Sequence, residues 1–210
     1  MISERITQMR ENRKKKGKKL YLCFVDYQKA FDRVKHDKLT EVMKKAGIPE
    51  LERRLIINLY WHQHASVRWE GEVSRNFKVE RGVRQGCIIS PLLFNLYSEF
   101  MIKEAMEGRE GVNIGGNNIT DLRYADDAVL VADRIGKMQR MIDRLSETCS
   151  VYGMEINVKK TKIIIVSDKE EARVVQRGIV LNGVPLEQVP RFKYLGSCMT
   201  ENARCEEYWS

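Results

Sequence analysis

The sequence predicts an α+β fold, a mainly antiparallel sheet with helices packed on one side. Three observations predict it. The runs Leu20–Val25 and Lys162–Val166 are the continuous apolar kind that marks strands buried on both faces. Long segments with apolar residues at helical spacing lie between them. Glu70-Gly71 and Asn182-Gly183 are tight-turn signals of hairpins.

The elements follow in order. Residues 1–19 are polar and basic, and a frayed tail is expected there. Leu20–Val25 is the first strand and ends at Asp26. In "HDKLTEVMKKAGIP", Asp37 is a candidate cap, Leu39, Val42, Met43 and Ala46 share a face, and Gly47 with Pro49 stops the helix. Pro49 opens a second helix with Leu51, Leu55, Ile56, Leu59 and Tyr60 as its apolar stripe. "SVRWEGEVSRNFKV" reads as a hairpin and "GVRQGCIIS" as a glycine-flanked loop. Ser90 is a candidate cap with Pro91 in the first turn, and Leu92, Leu93, Leu96, Tyr97, Phe100 and Met101 are expected to face inward. "ITDLRYADDAVLVA" reads as strand–turn–strand. A long helix follows, with Ile135, Met138, Met141, Ile142, Leu145, Cys149 and Tyr152 on one side and Gly153 as its stop. "RFKYLGSCM" reads as a last strand.

With 210 residues, 43% hydrophobic and 31% charged, the chain can build a real core and is not of disordered composition. The net charge of +8 favours a polyanionic partner. The five cysteines have no C-x-x-C spacing and form no zinc pattern with the three histidines, which fits thiols in a reducing compartment. No apolar run approaches the roughly 20 residues of a bilayer span, and no signal-peptide pattern opens the chain. The expectation is an intracellular protein, nuclear or cytoplasmic, with no membrane partner.

Asp26 ends a buried strand, and Asp126 and Asp127 sit at a hairpin tip between apolar strands. If those strands are neighbours, three carboxylates converge. Two unit charges ~4 Å apart repel by ~4 kcal/mol at an effective dielectric of ~20. Such a cluster persists if a proton is shared or cations neutralise it. Oxygen ligands without His or Cys suit Mg2+ or Mn2+, and two such ions run in-line phosphoryl displacement. Read alone, Asp-Asp fits an ordinary turn better than a metal site.

The segments "FVDYQKAFDRVKH", "GVRQGCIISPLLFNLY", "LRYADDAVLVAD", "GMEINVKKTKI" and "FKYLGS" occur in that order. Together they resemble the palm of a reverse transcriptase, closest to those of non-LTR (LINE-type) retrotransposons, over roughly residues 20–199. The resemblance implies a right-hand polymerase palm with partial fingers. It implies an RNA-directed DNA polymerase acting on an RNA template, a DNA primer and dNTPs, with two Mg2+ or Mn2+ ions. Asp26 then matches the first catalytic, metal-holding aspartate, and the Tyr27 carbonyl would add a ligand. Asp126 matches the second metal ligand and Asp127 a more peripheral third acid. Phe31 matches a steric gate against the 2′-OH, an ordinary core phenylalanine being the other reading. Arg84, Gln85 and Gly86 match the block that holds template and nascent base pair. Asn157 and Lys160 match residues near the incoming triphosphate, with Lys159 and Lys162 as neighbouring candidates for the lysine. Tyr124 matches a contact to the primer end. Phe192, Tyr194, Leu195 and Gly196 match the primer grip, with a plain hydrophobic hairpin as the alternative. Asp32 and Asp133 have no counterpart role.

The family normally carries fingers with an R-P-I-type segment before the first aspartate and a helical thumb after the primer grip. The 25 residues before Asp26 match none of the former, and residues 200–210 leave room only for the start of a thumb connection. A second expectation is therefore an inert remnant that folds as a palm and at most binds nucleic acid. An RNA-dependent RNA polymerase shares the palm, but Phe31 at the gate disfavours it.

Overall fold

The computed structural model describes residues 5–9, 11, 19–108, 111–114, 116–124, 127–167, 178–194, 197–201 and 205–206. Strand β1 (Leu20–Val25) is buried at every position, as its unbroken apolar run requires. Because side chains alternate, Tyr21, Cys23 and Val25 enter one hydrophobic layer while Leu20, Leu22 and Phe24 enter another. β1 is the central strand of a five-stranded sheet. On one side it pairs antiparallel with β4 (Lys162–Val166), on the other with β3 (Asp127–Ala132). β2 (Asp121–Tyr124) continues the sheet beyond β3, and β5 (Glu187–Gln188) adds a parallel edge beside β4.

Four helices of ten residues or more are described: α1 (His36–Lys45), α2 (Glu50–Tyr60), α3 (Ser90–Met106) and α4 (Ile135–Tyr152). All four bury residues in the first layer. Met138, Met141, Ile142, Leu145, Cys149 and Tyr152 of α4 are buried at the predicted spacing. Gly153 ends that helix at φ +70°, with the Met154 and Gly153 N–H groups donating to the Cys149 and Ser150 carbonyls. Gly47 ends α1 in the same manner. No helix among the described residues is long and apolar enough to cross a membrane.

Several expectations are corrected. Leu51, Leu55 and Leu59 of α2 are 69%, 57% and 53% exposed, so of the expected stripe only Tyr60, which is fully buried, and Ile56, which packs against the core, face inward. Ala46 and Leu92 are exposed too. Neither Asp37 nor Ser90 caps its helix. Asp37 lies inside α1 and accepts from the Lys38 N–H, and the Ser90 hydroxyl is instead paired with Tyr60 at 2.8 Å. The last strand is a hairpin, β6 (Arg191–Tyr194) against β7 (Ser197–Thr200), to which Cys205–Glu206 adds a third strand. This hairpin covers the far face of the sheet through Tyr194 and Met199. Residues 5–9 are helical, and Ile6 and Met9 are buried in that same layer, where a frayed tail is expected from the sequence. Two apolar side chains three positions apart are enough to anchor one helical turn when a sheet face is waiting for them.

Candidate active site

The site is built where β1 ends. Val25 pairs with Ala128 of β3, and Tyr124 pairs with Asp127 across the hairpin. Asp26 follows Val25 and Asp127 precedes Ala128, so continuing that register by one step would set the two acids side by side. Alternation puts both on the face that carries Phe24 and Val129, away from the helices. Opposed positions on antiparallel strands set Cβ atoms roughly 4.5–5.5 Å apart, and like charges there repel. Both residues are half-buried. Ala125 and Asp126 lie outside the described residues, as does the side chain of Tyr124. The predicted third carboxylate thus has no described position. Among the described residues no three His, Cys, Asp or Glu side chains gather as a metal cluster.

On its other side Asp26 is held by the turn after α4. The Asn157 N–H donates to the Asp26 carbonyl at 2.8 Å, and the Gln28 N–H donates to the Glu155 carbonyl at 2.9 Å. These two bonds flank a bridge between Tyr27 and Ile156. In such a pair the bridged residues do not bond each other, so the Tyr27 carbonyl is turned to the opposite side of the strand, where β3 runs. The same turn presents Lys160, which is exposed. Lys162 is held by Glu187 and the Lys159 carbonyl, which ties it to β5. The Asn157 carboxamide oxygen accepts the Lys160 N–H at 3.3 Å, so it shapes the turn.

Phe31 is half-buried and stacks on Phe94 of α3, with centroids 4.9 Å apart and planes 16° off parallel. The glycine-flanked loop is strapped to the same segment. The Val83 N–H donates to the Phe31 carbonyl at 2.9 Å and the Gly82 N–H to the Val34 carbonyl at 2.8 Å. Gly82 has φ +96°, and a Cβ there would meet the Asp32 backbone oxygen at 3.1 Å. His36, buried and stacked on Trp61, is paired through Nε2 with the Gly82 carbonyl at 2.8 Å. Arg84, Gln85 and Gly86 are exposed at the loop's tip. Gln85 Nε2 lies 3.4 Å from the Asp32 carboxylate, so the acid without a counterpart role leans on the loop.

Phe192 and Tyr194 both pack on Phe24, at 5.0 and 5.1 Å between centroids, two residues before Asp26 and on its face. Leu195 and Gly196 lie outside the described residues. The structure therefore brings Asp26, Asp127, the Asn157–Lys160 turn and the aromatic hairpin around one end of β1. Phe31 and the loop form a second unit, joined to the first by the chain between Asp26 and Phe31. Two further residues belong to the site without any signature in the sequence pattern: Thr161, whose hydroxyl oxygen accepts from the Asp26 N–H, and His36, which clasps the loop. A threonine after a lysine pair carries no signal by itself.

Beneath the site, on the helix side, the Tyr27 ring is buried and its hydroxyl has no hydrogen-bond partner among the described residues. Burial, with the nearby Cys149, Cys23 and Asp121, holds that phenol well above its usual range. An unpaired buried hydroxyl costs about 1–3 kcal/mol. Tyr27→Phe should therefore keep or raise stability, by about 1 kcal/mol in a thermal melt. A fall in melting temperature would mean that the hydroxyl has a partner.

Residues 1–199 match the family described as "Reverse transcriptase (RNA-dependent DNA polymerase)". Among curated proteins, the chain is 27% identical over 190 residues to the Pol polyprotein of retrotransposable element R2DM from Drosophila melanogaster, covering 88% of this chain and 18% of that protein. It is 29% identical over 188 residues to the R2 polyprotein of Nasonia vitripennis, covering 86% and 18%. It is 27% identical to the RNA-directed DNA polymerase from mobile element jockey of Drosophila funebris, covering 83% and 19%. The chain thus spans under a fifth of the length of these relatives. Among solved structures, an apo telomerase from Candida tropicalis superposes with a TM-score of 0.69 at 19% identity, covering 99% of this chain and 39% of that one. That likeness shows a polymerase fold. With the family matched over nearly its whole length, and with relatives in the R2 and jockey elements, the chain belongs to the reverse transcriptase family.

Proposed function

We propose that this chain carries the nucleotidyl-transfer centre of an RNA-directed DNA polymerase, adding dNTPs to a primer 3′-OH on an RNA template. The observation that carries the reading is the register that, continued by one step, sets Asp26 beside Asp127, with the Asn157–Lys160 turn bonded to the other edge of Asp26.

The donor set fits a pair of hard divalent ions. Asp26, Asp127 and Asp126 would hold Mg2+ or Mn2+ together with the Tyr27 carbonyl, all through oxygen. Cys23, the nearest thiol along β1, is buried on the helix side, where desolvation pushes it up, and His36 is engaged with Gly82. When bound, two such ions activate the attacking oxygen and steady the leaving pyrophosphate. The chain's own groups do the rest. Lys160, on an exposed turn, is available to neutralise or protonate pyrophosphate. Phe31, fixed by its stack on Phe94, fills the space a ribose 2′-OH would need. Arg84, Gln85 and Gly86 offer donors and an open backbone to the template and nascent pair. Phe192 and Tyr194, with Leu195, Gly196 and Tyr124, hold the primer end.

The test is primer extension by this chain on an RNA template with dNTPs and Mg2+ or Mn2+, beside Asp126→Ala and Asp127→Ala. Extension by the wild-type chain, with a deeper loss in Asp126→Ala than in Asp127→Ala, is the expected result. Equal activity in all three proteins would sink the metal assignment. Salt-sensitive RNA–DNA binding without any extension would instead favour an inert palm.

A further inference from the structure

We infer that Thr161 is a positioning residue for the metal-holding aspartate; the inference rests on the reading of Asp26 proposed above. β1 is flanked by β4 only as far as Phe24, whose partner Lys162 is the first residue of that strand. Beyond this point the Asp26 N–H has no acceptor from β4. It donates instead to the Thr161 hydroxyl oxygen at 3.3 Å. The Asp26 carbonyl accepts from the Asn157 N–H at 2.8 Å, and the Thr161 N–H donates to the Asn157 carbonyl at 2.8 Å. Asp26, Asn157 and Thr161 therefore close a ring of three hydrogen bonds. Thr161 is 1% exposed, so water does not compete for its hydroxyl.

The consequence is orientational. The direction of the Asp26 carboxylate follows from its backbone dihedrals, and both backbone polar groups of Asp26 are fixed by this one turn. The turn also carries Lys160, so a single buried hydroxyl sets the carboxylate and the lysine relative to each other. Partners that orient metal-holding carboxylates typically govern roughly 10–100-fold in metal affinity. Valine keeps the shape and strand preference of threonine but lacks the acceptor.

Calorimetric titration of the full chain with Mn2+ alone tests this without requiring turnover. Thr161→Val should bind Mn2+ about 10-fold more weakly than wild type, and Thr161→Ser should bind like wild type. Thr148→Val serves as a control. It removes another buried hydroxyl, one that donates to the Arg144 carbonyl at 2.9 Å far along α4, and should bind like wild type. Thr161→Ala carries the same test should the valine variant not fold. Wild-type affinity in Thr161→Val, or equal losses in Thr161→Val and Thr148→Val, would overturn the positioning role while Asp26→Asn still abolishes binding. Mn2+ binding that survives in Asp26→Asn, or that is absent from the wild-type chain, would overturn the metal reading itself.

Discussion

Asp26→Asn should lower primer extension by at least about 10³-fold, the loss of several kcal/mol of charge stabilisation at the reacting phosphate. The amide has the size of the carboxylate and leaves the backbone bonds to Thr161 and Asn157 in place. The loss therefore reads the charge and not the fold. The same register predicts an opposite effect on stability. Continued by one step, it sets Asp26 beside Asp127 at the end of paired strands, and like charges in that relation cost about 0.2–1 kcal/mol. Asp26→Asn should melt at or slightly above the wild-type temperature when divalent ions are chelated. Lower activity with equal or greater stability is the mark of a charge kept for function. Lower activity with a large loss of stability would mean that Asp26 is structural.

Phe31→Val should raise the use of ribonucleotides relative to deoxyribonucleotides by about 10²-fold, measured as the ratio of kcat/KM for CTP and dCTP. The ring stacks on Phe94 and its backbone is strapped to the loop that begins at Gly82, so swinging it aside to admit a larger sugar would cost the stack. Truncation would open that space while the backbone bonds from Val83 and Gly82 keep the segment in position. Because the ring is only half-buried, the stability cost should be roughly 2 kcal/mol, below that of a full core truncation. An unchanged nucleotide ratio with that same stability loss would identify Phe31 as an ordinary core residue.

Much of the frame was legible because strand burial writes itself into composition. A strand covered on both faces must be apolar at nearly every position, and Leu20–Val25 and the Ile163–Val166 run carry that mark at strand length. The α4 helix was legible to its last residue, since its one buried face imposes a period and Gly153 supplies the left-handed stop. The α2 stripe misled. Periodicity reports that a helix has an apolar face but not which surface meets it, and Leu51, Leu55 and Leu59 look outward. The segment from Arg191 reads as one strand in sequence, but Arg191–Tyr194 pairs antiparallel with Ser197–Thr200, and a single mixed run of nine residues carries no periodicity that separates two short strands from one.

The sequence by itself determined the residue types of the site: acids at the end of one apolar strand and at the tip of a hairpin, a lysine-rich turn, and a glycine-bounded loop. Burying charge among apolar strands is costly and calls for a reason, but the roles of these residues could be read only through the resemblance of five ordered segments to a reverse transcriptase palm. Only the tertiary structure decided which of these groups meet. The pairing of Val25 with Ala128 brings the strand end before Asp26 to the strand start at Asp127 across about 100 residues of chain, and the turn from Asn157 to Thr161 takes up the backbone of Asp26 where β4 runs out. Those contacts depend on strand order and register, which arise from packing the whole sheet against its helices, and no local pattern of residues encodes them.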